Sequence, residues 1–234
     1  MKNYLILNGI SSHTISGLII QSLPPISKPK IRAQVEEIDG RDGDIITTLG
    51  YGAYDKEVLI GLSYNYNVDE IINFFNSSGK VVFSNEEDKY YNYQILEQID
   101  FERLIRFKQA KVKFHIQPFK YSYLDNLKTF QISKNTSIII NNNGNIYSRP
   151  ILTITGSGNI SINLNNNQVF AIALGDLGSI TIDTNNMEAY KGSVLMNRIV
   201  AGNYDNFKLL VGKNTISWSG SITQIQIENF SRWI

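Results

Sequence analysis

The chain lacks cysteine altogether, and its 234 residues include only two histidines. Without cysteine it cannot form disulfides, use a thiolate nucleophile, or bind zinc or iron–sulfur clusters through sulfur. Neither sign of charge is in excess, because 22 Lys and Arg residues balance 21 Asp and Glu residues. A net charge this close to zero carries no signature of nucleic-acid binding.

Long hydrophobic runs are also missing. No apolar stretch approaches the roughly 20 residues that a membrane-spanning helix needs. The first nine residues hold four consecutive apolar or aromatic residues before Asn8, too few for a signal-peptide core. We therefore expect a soluble protein that has no membrane contact and is not exported through a signal peptide.

The composition changes near residue 130. Residues 1–130 hold 31 of the charged residues and 9 Asn, whereas residues 131–234 hold 12 charged residues and 17 Asn. Each part is long enough to bury a core of its own. We predict two domains, 1–130 and 131–234, joined in the segment from Pro118–Tyr121 to about Asn135.

The first domain is predicted to be β-rich with one helix at 68–77. Asn67 is an N-cap with Glu70 three residues later, and Gly79 would end the helix. The apolar residues repeat at helical spacing and predict a buried stripe: Val68, Ile71, Ile72 and Phe75. Alternating runs predict strands at 4–7, 58–64, 80–83, 91–99 and 107–116.

The second domain reads as all-β. Short alternating runs bounded by Asn and Gly predict a sandwich or barrel with strands at 151–155, 160–164, 169–174, 180–183, 216–218 and 225–227. Gly156–Asn159 lacks the third glycine and the following helix of a dinucleotide-binding loop. We predict a hairpin turn there.

A tight turn between strands is predicted at Gly40–Gly43, where two glycines flank Arg41 and Asp42. Asp39, Asp42 and Asp44 suggest a calcium loop. However, the twelfth position counted from Asp39 is Gly50 and from Asp42 is Ala53, so the bidentate glutamate is missing. The sequence therefore predicts no metal site in this loop.

Catalytic groupings are equally poor. His13 lies in a polar loop and His115 on the polar face of a strand, and neither accompanies a nucleophile motif. Four carboxylates could converge as a glycosidase pair, although a solvated surface is the expected place for such charges: Glu86, Glu87, Asp88 and Glu97. We predict no catalytic, cofactor-binding or metal-binding residue, and no cofactor.

Tyrosine is abundant, with 13 residues, and Tyr90, Tyr91 and Tyr93 share one predicted strand. Such a row could form a sugar-stacking platform or an oligomer interface, but core and interface packing is the favoured use.

A series of short motifs resembles the distal tail protein (Dit) family of long-tailed bacteriophages and related prophages. The first half carries Leu7-Asn8-Gly9, Leu23-Pro24-Pro25, Gly40-Arg41-Asp42-Gly43, Leu49-Gly50-Tyr51, the 68–77 helix and Phe114–Phe119. The second half carries Asn141–Asn145, Arg149–Ile154, Gly156-Ser157-Gly158, Ile182-Asp183-Thr184, Met187–Tyr190, Phe207–Leu210 and Gly212-Lys213-Asn214. The motifs keep their order across essentially the whole chain.

This resemblance implies a virion structural protein of the tail tip or baseplate, assembled in the host cytoplasm. Its first domain, an N-terminal β-barrel or sandwich with one helix, would form a six-membered ring. Its second domain would be a galectin-like β-sandwich. The implied partners are other copies of the chain, the tail tube protein, a tail-associated fibre or lysin protein, and the tape-measure protein. Linkers in residues 146–234 are too short for a long arm, so direct carriage of receptor-binding proteins is doubtful.

The sequence leaves three functions open. A structural tail hub is favoured because it demands β-rich domains and no chemistry. A carbohydrate-binding module would use Trp218 or Tyr190, but the second domain has no His and only three Arg: Arg149, Arg198 and Arg232. A glycoside hydrolase would need converging carboxylates.

Overall fold

The computed structural model describes residues 2–134 and 136–234, which divide into two compact units. One unit reaches to Tyr123 and includes Ile234, and the other is Leu124–Trp233. The division precedes the predicted boundary at residue 130, because Leu127–Gln131 pairs along its whole length with a strand of the second unit. Pro118–Tyr121 is not a join, since it lies inside a strand of the first unit. Asn135, the far end of the predicted join, lies outside the described residues.

The first unit is built from antiparallel strands and two short helices. The strands are β1 Leu5–Leu7, β2 Ile10–Ser11, β3 Leu18–Ser22, β4 Ile31–Glu37, β5 Asp44–Tyr51, β6 Tyr54–Leu62, β7 Ser78–Phe83, β8 Lys89–Gln94 and β9 Gln109–Ser122. The helices are α1 Val68–Phe75 and α2 Phe101–Phe107.

Seven of these strands form the main sheet of this unit in the order β2-β1-β7-β8-β9-β6-β3. The alternation predicted for β9 is confirmed, because Val112, Phe114 and Ile116 are fully buried. Phe114 lies at the centre of an edge-to-face aromatic cluster, with ring centroids 5.3 Å from Tyr93 and 6.4 Å from Phe75 of α1. This cluster packs α1 on the sheet.

Helix α1 begins as predicted. The side-chain oxygen of Asn67 accepts hydrogen bonds from the backbone N–H groups of Asp69 and Glu70. Glu70 does not complete a capping box, because its carboxylate accepts from the backbone N–H of Ser16. The helix ends at Phe75, before Gly79, which lies in β7.

The buried face of α1 is shifted from the predicted one. Ile71, Phe74 and Phe75 are buried, whereas Val68 and Ile72 are only partly buried. The stripe therefore follows i, i+3, i+4 from Ile71. Phe74 and Phe75 are adjacent at the end of the helix, and both of their rings are buried in the core.

Helix α2 was not predicted. The sequence pattern predicts instead that the strand starting at Tyr91 continues to Ile99 and that the next strand begins at Phe107. Asp100 caps α2 by accepting from the backbone N–H of Arg103 at 2.8 Å. Lys108 ends it in the left-handed conformation, with φ of 57°. The seven-residue helix is too short for a clear apolar period.

The second unit is built from strands and short 3₁₀ turns. The strands are β10 Leu127–Gln131, β11 Ser137–Asn142, β12 Ile151–Leu164, β13 Asn167–Gly175, β14 Ser179–Asp183, β15 Glu188–Lys191, β16 Val194–Leu195, β17 Val200–Gly202, β18 Gly212–Glu228 and β19 Arg232–Trp233. With both units rich in strands, the predicted mainly-β class is confirmed.

Two long strands, β12 and β18, pair with each other at the centre of the sheet of this unit. The first half of β12 pairs with β14 and its second half with β13, while β18 pairs with β11 and then β10. The predicted hairpin turn at Gly156–Asn159 is therefore wrong, because these residues lie inside β12, at an irregularity in its pairing with β18 that we call the kink. A side chain at Gly156 would overlap the carbonyl oxygen of Ser221 on β18. Glycine thus lets the two backbones approach closely where the pairing is irregular.

Neither helix of the described residues has the length and apolarity of a membrane span.

Candidate functional site

The hairpin of β4 and β5 is exposed along most of its length. We call this hairpin, residues 31–51, the arm. Within the described residues its strands pair only with each other, and none of its side chains joins a core cluster. Val35 and Ile46, which face each other across the strands, are 54% and 66% exposed. An isolated two-stranded ribbon is only marginally stable in water, so the exposed apolar face of the arm needs a partner that covers it.

The base of the arm is anchored through backbone carbonyls of the preceding Pro-rich segment. Lys56 Nζ donates to the carbonyl oxygen of Pro25 at 2.7 Å, and Asn85 Nδ2 donates to that of Pro24 at 2.9 Å. Tyr54 Oη donates to Ser27 at 3.2 Å. Two further contacts close the base: the N–H of Gly52 donates to the Lys30 carbonyl at 2.8 Å, and the Tyr51 ring lies 5.4 Å from Phe119.

A buried charge cluster supports these anchors. Lys120 Nζ lies 2.8 Å from the carboxylate of Glu86, which also accepts from Tyr91 Oη at 2.7 Å. Lys56 lies beside this pair with its Nζ 5.3 Å from the Tyr91 ring centre. Burial lowers the pKa of Lys56 to about 8, although Glu86 opposes the shift. Burial and the neighbouring Glu86 carboxylate raise the pKa of Tyr91.

No family model and no curated protein matches the chain. Its structure is similar to that of the Dit protein of phage SPP1, described as a hub of the adsorption apparatus in phages that infect Gram-positive bacteria. The TM-score is 0.64 at 15% identity, and both chains are covered completely. The chain has a Dit fold. The resemblance seen in its sequence motifs is thus confirmed for the fold.

Two baseplate structures show the same likeness. A chain of the phage P2 baseplate in its activated conformation with calcium gives a TM-score of 0.56 at 12% identity, covering 100% of this chain and 99% of that chain. The p2 baseplate with strontium gives 0.50 at 13% identity, covering 96% and 97%. The matched proteins are hub and baseplate components.

The predicted turn at Gly40–Gly43 is confirmed as the tip of the arm. Both glycines have φ of 78°, a left-handed value that glycine adopts without strain. Asp39, Asp42 and Asp44 are all exposed at this tip. Among the described residues, no three acidic or histidine side chains are grouped as metal ligands.

Three of the four carboxylates considered as a hydrolase pair lie in ion pairs with separate lysines. Glu86 pairs with Lys120, Asp88 with Lys89 at 2.5 Å, and Glu97 with Lys113 at 2.5 Å. Glu87 is exposed beside them. Each of these three carboxylates therefore has its own lysine partner.

The two histidines lie apart from one another. His13 is exposed on a 3₁₀ turn, with its ring 5.1 Å from that of Tyr4. His115 Nδ1 lies 2.8 Å from Asp55 on the neighbouring strand. The hydrogen bond from His115 lowers the pKa of Asp55. Each histidine thus contacts one neighbouring side chain, Tyr4 for His13 and Asp55 for His115.

The tyrosine row is part of the core. Tyr91 and Tyr93 face the main cluster, while Tyr90 packs on the opposite side of the sheet against Tyr121, with ring centroids 5.6 Å apart. None of the three is more than 3% exposed, so they form no sugar platform.

The candidate sugar-binding residues of the second unit are dispersed. Trp218 is buried in the core and Tyr190 is partly buried on β15. Arg149 pairs with Asp205, and Arg232 is buried with its Nε donating to the Tyr147 carbonyl at 2.8 Å. Arg198 is exposed beside a shallow groove of small residues: Asn159, Ser161, Ala171, Ala201 and Ser219.

Sequence reasoning missed the anchors Lys56 and Asn85 and the exposure of Val35 and Ile46. A lysine at an inward position of an apolar strand was the available signal for Lys56. The arm gives no such signal, because an apolar face looks the same in sequence whether a core or another molecule covers it.

Proposed function

We propose that the protein is a structural hub of a phage or prophage-derived tail tip or baseplate. Copies of the chain assemble as a hexameric ring through the first unit. The ring joins the tail tube protein to the tail-associated fibre or lysin protein, next to the tape-measure protein. Receptor-binding proteins are not carried directly.

The observation that carries this proposal is the likeness to the SPP1 hub protein, which spans the full length of both chains and therefore both units. Likeness in a single unit would support only a widespread β fold, whereas the order of both units along one chain is more specific. All three of these structures are of hub or baseplate proteins, which supports a tail-hub role for this chain.

The arm supports self-assembly. Its apolar face is exposed at Ile31, Val35 and Ile46, and burying side chains of this kind stabilises a contact by about 1.5 to 3 kcal/mol each when they are fully covered. A projecting element that docks on a different patch of the next copy makes a heterologous contact, which generates a closed ring when the rotation closes.

Light scattering coupled to size-exclusion chromatography of the full chain tests the proposal. Six copies of the 26.5 kDa chain give about 159 kDa, the mass expected for a ring. The variant Val35→Asp/Ile46→Asp should elute as a monomer. Val194→Asp/Leu195→Asp, at equally exposed positions of the second unit, is the matched control and should remain assembled. A monomeric wild-type chain at every concentration contradicts the ring.

A further inference from the structure

The arm has two distinct faces. Cross-strand pairing places Ile31 with Tyr51, Ala33 with Thr48, and Val35 with Ile46 on the first face. The opposite face carries Gln34 with Thr47 and Glu36 with Ile45. The first face is thus the more apolar one, and a partner that covers it must offer an apolar group.

The apolar face ends in an acidic pair. Glu37 lies directly opposite Asp44, and Asp39 and Asp42 follow in the turn. Like charges opposite one another destabilise a strand pair. Among the described residues neither Glu37 nor Asp44 takes part in an ion pair, and Arg41 is the only basic residue between positions 33 and 51. Cations from a partner would relieve this repulsion.

Helix α2 offers the complementary surface. Arg103, Arg106 and Phe107 stand at i, i+3 and i+4 and so share one face of the helix. Phe107 is 66% exposed, with the Arg106 guanidinium 5.5 Å from its ring centre. No ion pair of the described residues involves either arginine. The three side chains line a surface depression of about 490 Å³ together with Asp100 and Glu102, of which Asp100 caps the helix by accepting from the backbone N–H of Arg103.

The spacings of the two surfaces agree. On the arm, the Val35–Ile46 pair stands two residues from the Glu37–Asp44 pair, which is about 7 Å along a strand. On α2, Phe107 follows Arg103 by four residues, a rise of about 6 Å along the helix axis. An apolar contact and an ionic contact can therefore form side by side.

We propose that the apolar face of the arm of one copy docks on α2 of the next copy. Phe107 packs on Val35 and Ile46, while Arg103 and Arg106 pair with Glu37 and Asp44. The occupant is a second copy because both complementary patches lie on this chain at different places, as a heterologous ring contact requires. This inference rests on the proposed ring.

Cross-linking tests the contact directly, because the natural chain has no cysteine. Ile46→Cys and Phe107→Cys chains are prepared separately, mixed, and oxidised mildly. A disulfide-linked dimer containing one chain of each kind is expected. Thr47→Cys, on the other face of the arm, is the matched control and should give little product with Phe107→Cys. Equal yields from both mixtures would overturn the proposed docking face.

Charge reversal tests the ionic part. Arg103→Glu/Arg106→Glu should raise the concentration at half-assembly by about tenfold or more. Adding Glu37→Lys/Asp44→Lys in the same chain should restore assembly, whereas the charge reversal Lys208→Glu in the second unit should have no effect. Thermal unfolding of each variant checks that it is folded.

The outcomes separate the two proposals. If the wild-type chain never assembles, the ring itself is wrong. If it assembles and Val35→Asp/Ile46→Asp abolishes assembly while the reversal on α2 changes nothing, the ring stands and the docking on α2 is overturned.

Discussion

The ammonium group of Lys56 donates a hydrogen bond to the backbone carbonyl of Pro25 at 2.7 Å, although the lysine is only 4% exposed. Because burial lowers its pKa from 10.5 to about 8, the unfolded chain binds the extra proton between these two pH values. The free energy of unfolding should therefore rise with pH across this interval.

The matched comparison for this effect is Lys56→Met, which removes the titrating group. The stability of the natural chain relative to this variant should increase between about pH 8 and 9, where little tyrosine is ionised. The slope should not exceed about 1.4 kcal/mol per pH unit, the value for one proton. Denaturant titrations at several pH values measure it, and parallel curves for the two proteins would contradict it.

Ile71 is the fully buried residue of α1. Ile71→Ala should destabilise the protein by about 2 to 5 kcal/mol, because it leaves a cavity in the core. Asn73→Ala, on the exposed side of the same helix, should change stability little. Urea denaturation compares the two, and equal stability of Ile71→Ala and the natural chain would show that the buried face is assigned wrongly.

Gly156 lies where β12 and β18 approach closely. Gly156→Ala should cost about 1 to 3 kcal/mol, since the added methyl group meets the Ser221 carbonyl and forces the strands apart. Ser157→Ala, on the exposed neighbouring residue, is the control. If calorimetry gives the same melting temperature for both variants, the kink does not depend on glycine.

Trp218 should act as a core residue, with no role in sugar binding. Trp218→Ala should reduce stability by about 3 to 5 kcal/mol. Isothermal titration of the natural chain with galactosides or cell-wall saccharides should give no binding heat, and Tyr190→Ala should behave likewise. Sub-millimolar affinity that is lost in a folded Trp218→Ala variant would favour the carbohydrate-binding alternative.

Much of the fold follows from local pattern. Asn67 and the apolar residues after it predict α1 because capping and helical spacing act within a few residues. β9 is predicted because Val112, Phe114 and Ile116 alternate strictly with polar residues. Helix α2 was missed because its seven residues contain one buried side chain, Leu104, and no apolar period.

The candidate site depends on long-range geometry that the sequence does not display. The kink at Gly156 resembled a hairpin turn because glycine is common in both, and only the distant Ser221 distinguishes them. The anchors pair Lys56 with Pro25 and Asn85 with Pro24, residues separated by 31 and 61 positions. A sequence motif does not record contacts at such separations.

The anchors at the base of the arm all end on backbone carbonyls, and every amino acid supplies a carbonyl. Side chains in residues 26–28 can therefore change during evolution without altering how the arm is attached, whereas Tyr54, Lys56 and Asn85 must each keep a donor group. The surface that the arm presents is free of these anchors. A lineage of such proteins can thus adapt its contacts to a new neighbour while the attachment of the arm stays the same.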